Sequence, residues 1–116
     1  MRTLSRSIIL AVAVVLALSA TALAKKTVNQ IKADPSRYHD KKISIVGTVT
    51  DSYGVLGNGA YEIDDGTGRM WVIADRAVPA KGARVEAKGR VMTGFVYRGS
   101  NMGTVLRESG RKAKDK

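Results

Sequence analysis

Side chains able to attack, ligate metal or shuttle protons are sparse in this sequence: it has one histidine, His39, and no cysteine. A Cys–His pair is excluded, and a serine nucleophile would have only His39 as its base, in a connection between Tyr38 and Asp40. A surface or hydrogen-bonded loop role suits this histidine better. Asp64 and Asp65 are adjacent carboxylates, but consecutive strand residues project to opposite faces and cannot converge on a cation. The expectation is a protein that is not an enzyme, with no catalytic residue, metal or cofactor. What remains is stacking and charge. Tyr53, Trp71 and Tyr97 offer aromatic faces, and Arg69 and Arg98 offer guanidinium groups. Aromatic rings interleaved with arginine can stack on bases and contact phosphates. Glu62 and Asp64 oppose that reading, since both would project beside Arg69 and Trp71 and repel phosphate.

Elements that could position these residues follow from periodicity. Thr27-Val28-Asn29-Gln30 fits a capping box, so a short helix is expected over Val28 to Ala33, and Asp34-Pro35 starts a further turn to Tyr38. Alternation predicts strands over Lys42–Asp51, Ala60–Asp64, Arg69–Ala74 and Ala83–Met92, with a fifth over Met102–Ser109. Ile43, Ile45, Val49, Tyr61, Ile63, Met70, Val72, Val85, Ala87 and Val91 are the expected inward residues. Asp65-Gly66-Thr67-Gly68 reads as a hairpin turn. The glycine-containing stretches Asp51–Gly59 and Thr93–Asn101 read as loops, which would carry Tyr53, Tyr97 and Arg98.

The strand pattern points to an all-β, five-stranded Greek-key barrel of the oligonucleotide/oligosaccharide-binding (OB) type with a short N-terminal helix. Residues 1–24 read as a secretory signal peptide: Arg2 and Arg6 precede the unbroken apolar run Ile8–Leu18, and Ala22-Leu23-Ala24 is a cleavage site. Retention of the run as an anchor is the alternative. After cleavage no stable membrane span is expected, and the protein would be periplasmic or secreted. The domain is then 25–109, followed by a basic tail over 110–116 expected to be disordered. Net charge is +10, or +8 once Arg2 and Arg6 are removed, which favours anionic partners.

The segments Lys42-Ile43-Ser44-Ile45-Val46-Gly47-Thr48-Val49, Tyr61-Glu62-Ile63-Asp64-Asp65-Gly66-Thr67-Gly68-Arg69-Met70-Trp71-Val72 and Gly82-Ala83-Arg84-Val85-Glu86-Ala87-Lys88-Gly89-Arg90-Val91 resemble the exported bacterial OB-fold proteins and the related anticodon-binding-like barrels. The resemblance implies a periplasmic, stress-associated binding module, although this chain is far more basic than that family's usual members. Two functions follow. One is binding of single-stranded nucleic acid or another anionic polymer through the face of the second and third strands, with Tyr53, Arg69, Trp71, Tyr97 and Arg98 as contacts. The other is a periplasmic protein-interaction or small-ligand-binding module with no nucleic-acid role.

Overall fold

A computed structural model of the chain describes residues 24–55, 57–97 and 99–115, without the side chains of Val55 and Tyr97. Arg98 and all of the expected signal peptide but Ala24 lie outside the described residues. The elements are α1 (Val28–Ala33), α2 (Pro35–Tyr38), β1 (Lys42–Val55), β2 (Asn58–Asp64), β3 (Arg69–Ala74), β4 (Arg84–Tyr97) and β5 (Ser100–Ala113). No helix among the described residues is long and apolar enough to cross a membrane.

The strands close into a barrel in the order β1-β2-β3-β5-β4. β1 serves two neighbours: Lys42–Thr48 pairs antiparallel with β4, and Thr48–Val55 pairs antiparallel with β2. The ring is completed by a short parallel pairing of Trp71, Val72 and Ile73 on β3 with Val105, Leu106 and Arg107 on β5. Alternation sorts the side chains as the sequence predicts. Ile43, Ile45, Val49, Tyr61, Ile63, Met70, Val72, Val85, Ala87 and Val91 all belong to one buried core cluster.

The capping box at Thr27 forms in both directions, with the Gln30 N–H donating to Thr27 Oγ1 at 3.1 Å and the Thr27 N–H donating to Gln30 Oε1 at 3.0 Å. The β2–β3 turn supplies further caps to α1. The Val28 N–H donates to Asp65 Oδ2 at 2.8 Å and the Asn29 N–H to Thr67 Oγ1 at 3.1 Å. These bonds satisfy donors that a helix start leaves unpaired. Partial desolvation pushes the Asp65 carboxyl up, but hydrogen bonds from the Thr67 side chain and from the backbone of Val28, Thr67 and Gly68 outweigh it and hold it below its ordinary range. Val28 and Ile31 are fully buried and join the core cluster, so α1 packs on the barrel through the face its sequence pattern marks.

Three expected boundaries are corrected. Asp51–Gly59 is not a loop but the tip of the β1–β2 hairpin, with β1 reaching Val55 and β2 starting at Asn58. The glycine there permits close pairing: a Cβ on Gly59 would lie 2.1 Å from the Tyr53 carbonyl oxygen. Thr93–Asn101 is likewise a hairpin tip. β4 continues to Tyr97 and β5 starts at Ser100, with the bulged stretch between Met92 and Phe95 taken up at Gly94, whose φ is 62°. β5 also runs on to Ala113, pairing with β4 as far as Val85, so Gly110–Ala113 is strand rather than disordered tail.

The burial pattern fixes a stability contrast. Val72→Ala and Ile45→Ala, both at fully buried positions, should each cost about 2–4 kcal/mol, whereas Lys88→Ala on the outward side of β4 should change stability by less than about 0.5 kcal/mol. Urea unfolding of the three variants checks this. Equal losses at Val72 and Lys88 would mean a one-residue slip in register.

Candidate functional site

The outward positions of β1, β2 and β3 form one continuous face. Tyr53 is opposite Ala60, which is opposite Ile73, and in the adjacent rows Glu62 is opposite Trp71 and Asp64 opposite Arg69. The small Ala60 leaves room above the sheet, and the Tyr53 ring stacks on Trp71 with centroids 5.8 Å apart and planes inclined by 30°. Offset pairs of this kind hold their rings in place. Tyr53 is 57% exposed, so its outer surface remains open to a ligand. Its hydroxyl donates to Asp51 Oδ2 at 3.0 Å, and that bond together with the Asp51 charge raises the phenol above its ordinary range.

Charge on this face is dominated by carboxylates. Arg69 lies 3.4 Å from Asp64 and 3.8 Å from Glu62, and the Thr50 hydroxyl donates to Glu62 Oε1 at 2.8 Å. Arg69 is therefore engaged by its cross-strand neighbours rather than left for a phosphate. Asp51, Glu62 and Asp64 surround the aromatic pair with one arginine among them.

Beside the pair, at the β3–β5 junction, lies a cleft of about 340 Å³ lined by Asn58, Ile73, Ala74, Asp75, Phe95, Arg107 and Glu108. Glu108 reaches it from a buried polar network. Its side chain is fully buried, accepts from the Tyr61 hydroxyl, and receives both contacts of Arg111 Nη1 at 3.2 Å. Arg111 also donates to the Ala77 carbonyl at 2.7 Å and lies 5.4 Å from the Tyr61 ring centroid. Arg76 donates to the Ser109 carbonyl at 3.1 Å. Burial, and then the Glu108 carboxylate, push the Tyr61 phenol far up, so it stays a donor. The network joins β2, β5 and the β3–β4 connection, and so holds one wall of the cleft.

Of the five residues singled out from the sequence, Tyr53, Arg69 and Trp71 share this face. Tyr97 is the last residue of β4, paired with Ser100 at the hairpin tip, and Arg98 lies outside the described residues. Asn58, Ile73, Arg107 and Glu108 were not singled out. The alternation of Val105, Arg107 and Ser109 against Leu106 and Glu108 was the available signal, but the register of the fifth strand could not be read without its partners. His39 accepts from the Thr93 N–H at 3.3 Å and sits 3.0 Å from the Thr93 hydroxyl, a hydrogen-bonded loop residue. Among the described residues no group of three or more His, Asp or Glu could hold a metal ion.

Neither a protein-family model nor a curated protein matches the sequence. Solved structures do match. A Leishmania major Friedlin protein assigned as an aspartyl-tRNA synthetase superposes with a TM-score of 0.61 at 13% identity, over 82% of this chain and 22% of its own. Asparaginyl-tRNA synthetase from Pyrococcus horikoshii gives 0.59 at 17% identity, over 79% and 23%. A Replication Protein A heterotrimer bound to single-stranded DNA gives 0.50 at 17% identity, over 65% and 58%. The barrel is an OB-fold. This chain spans less than a quarter of each synthetase, and at these identities the likeness concerns the fold alone. In this fold the face of strands two and three, flanked by the loops between strands one and two and between four and five, is the usual ligand surface. The Tyr53–Trp71 pair and the cleft occupy that position.

The buried network gives a stability test. Arg111→Ala should cost about 3 kcal/mol or more, because it leaves the buried Glu108 carboxylate with only the Tyr61 hydroxyl and the more distant Arg76, 3.8 Å away, and Tyr61→Phe about 1–3 kcal/mol through loss of one donor. Denaturant unfolding measures both. A loss under about 1 kcal/mol for Arg111→Ala would show that water or Arg76 satisfies Glu108 instead.

Proposed function

We propose that the chain is an exported, non-catalytic OB-fold binding module that takes an uncharged polar ligand on the β2–β3 face, a neutral oligosaccharide being the class that fits. The observation that carries this is the Tyr53–Trp71 stack, open on one side and bordered by Asp51, Glu62 and Asp64. A flat sugar ring can rest on the exposed face of Tyr53 while its hydroxyls donate to carboxylates and accept from Arg69 or Asn58. Pockets of this kind combine apolar rings with a few placed polar groups. Export rests on Arg2, Arg6, the run Ile8–Leu18 and Ala22-Leu23-Ala24. Absence of catalysis rests on a chain with no cysteine and one histidine, itself held by Thr93.

A second reading, single-stranded nucleic acid on the same face, is favoured by the stacked aromatics and by the likeness to Replication Protein A. The carboxylates weigh against it: Asp51, Glu62 and Asp64 outnumber Arg69, which two of them hold, and Arg107 at the cleft, and so disfavour a phosphate backbone.

Trp71 is the sole tryptophan, so its emission reports this face directly. Neutral oligosaccharides should shift it saturably, and Tyr53→Ala should weaken that binding about tenfold, while a short single-stranded oligonucleotide leaves it unchanged at moderate salt. Saturable quenching by the oligonucleotide with no response to saccharides would reverse the choice.

A further inference from the structure

The cleft is continuous with the aromatic pair. Tyr53 of β1 is opposite Ala60 of β2, Ala60 is opposite Ile73 of β3, and Ile73 is opposite Arg107 of β5, one row across four strands. Neighbouring strands lie about 4.8 Å apart, so Tyr53 and Arg107 are separated by about 14 Å along the sheet, a span suited to successive rings of a short chain. At the Tyr53 end the row offers a flat aromatic surface. At the Arg107 end it opens into the cleft of about 340 Å³, where Ile73 and the half-buried Phe95 supply apolar surface. The polar groups of the cleft differ in what they have left to give. Glu108 is fully buried, and its oxygens already accept from Tyr61 and Arg111. Asp75 contacts Arg76 at 3.8 Å and is otherwise exposed. Among the described residues the side chains of Arg107 and Asn58 make no hydrogen bond or ion pair with the rest of the protein.

We infer that this cleft is a subsite for an acetamido group, so that the saccharide is one built from N-acetylated sugars. The inference rests on the saccharide reading above and narrows it. An acetamido group carries a methyl, a carbonyl oxygen and an N–H in one plane. Enclosing it takes an apolar surface, a donor and an acceptor together, because a polar group removed from water without a partner is costly. The cleft has all three: the methyl rests on Ile73 and Phe95, the carbonyl accepts from Arg107 or the Asn58 amide, and the N–H donates to Asp75. A plain sugar hydroxyl would use the polar groups and leave the apolar wall uncovered. A carboxylate substituent would pair with Arg107 but meet Asp75 and Glu108, two acids against one cation among the described residues that line the cleft. Tyr53 thus holds a sugar ring of any kind, and Arg107 sets which substituent is preferred.

Calorimetric titration of the full-length chain with three trimers on one linear glucan backbone tests this: cellotriose, its counterpart with a 2-acetamido group on every ring, and its counterpart with C6 carboxylates. The readout is the cellotriose Kd divided by the Kd of the acetylated trimer. A hydrogen bond from a charged donor is worth about tenfold, so the ratio should be about ten. Arg107→Ala, at an exposed side chain, should bring it close to one. Phe95→Ala should lower it through loss of the apolar wall, and Arg107→Lys should keep part of it. Tyr53→Ala should weaken both trimers alike and leave the ratio in place. Cellotriose binding with a ratio of one would overturn the inference and leave the saccharide reading standing, whereas binding of neither trimer would overturn both. Tightest binding of the carboxylated trimer, or a ratio unmoved by both Arg107→Ala and Phe95→Ala, would also overturn the inference.

Discussion

Three residue pairs, Trp71–Val105, Val72–Leu106 and Ile73–Arg107, close the sheet on itself, and the remaining geometry follows from that short seam. Without it β3 and β5 would each present an unpaired edge, the feature that makes open sheets prone to association. A seam this short needs support from outside its own hydrogen bonds. Tyr61, Glu108 and Arg111 provide it from within, tying β2 to β5 under the seam and drawing in the Ala77 carbonyl of the β3–β4 connection. The long β4–β5 hairpin bends sharply enough to bring β5 to β3 because Gly89 lets the strands cross closely; a Cβ there would lie 2.0 Å from the Arg107 carbonyl oxygen.

Closure also divides the surface. β1 is shared, its first half paired with β4 and its second half with β2. Lys42 therefore joins the cations of β4 and β5, while Asp51 and Tyr53, farther along the same strand, join the carboxylates and Trp71. A single alternating strand thus contributes to two faces of opposite character. Lys42, Lys88 and Arg90 belong to one part of the sheet and the aromatic pair to another, with Arg107 between them, opposite Arg90 on one side and Ile73 on the other. A basic composition and a stacked aromatic pair in one sequence suggest a nucleic-acid groove only while their placement is unknown.

Much of the fold was readable from local pattern. β3 spans the residues alternation predicts, and the inward residues of β1 to β4 match the buried set because a half-buried strand imposes period two on its sequence. The misread segments share one cause. Glycine clusters at Gly54–Gly59 and Gly94–Gly103 carry the same local signal whether they end a strand or permit a bulge and close pairing within one, and only the partner strand distinguishes the two. The same applies to charge. Glu86 looks like a surface residue until Lys112 of β5 and Lys114 just beyond it reach it across the sheet, and Glu108 until Tyr61 of β2 and its own strand neighbour Arg111 enclose it. Arg69 reads as a phosphate contact until the β2–β3 register sets it against Asp64 and Glu62. The candidate site was legible as residue types, and its electrostatic sign was not, because sign depends on cross-strand neighbours.

The central claim is that the β2–β3 face takes an uncharged ligand on its aromatic stack. The most direct measurement is an amide-resolved nuclear magnetic resonance titration of the isotopically labelled chain with a neutral oligosaccharide. The account predicts saturable shifts concentrated at Tyr53, Glu62 and the Trp71 indole, with Lys42 and Lys88 unmoved. Shifts centred on Lys42 and Lys88, or no saturable shift at Tyr53 and Trp71, would contradict it.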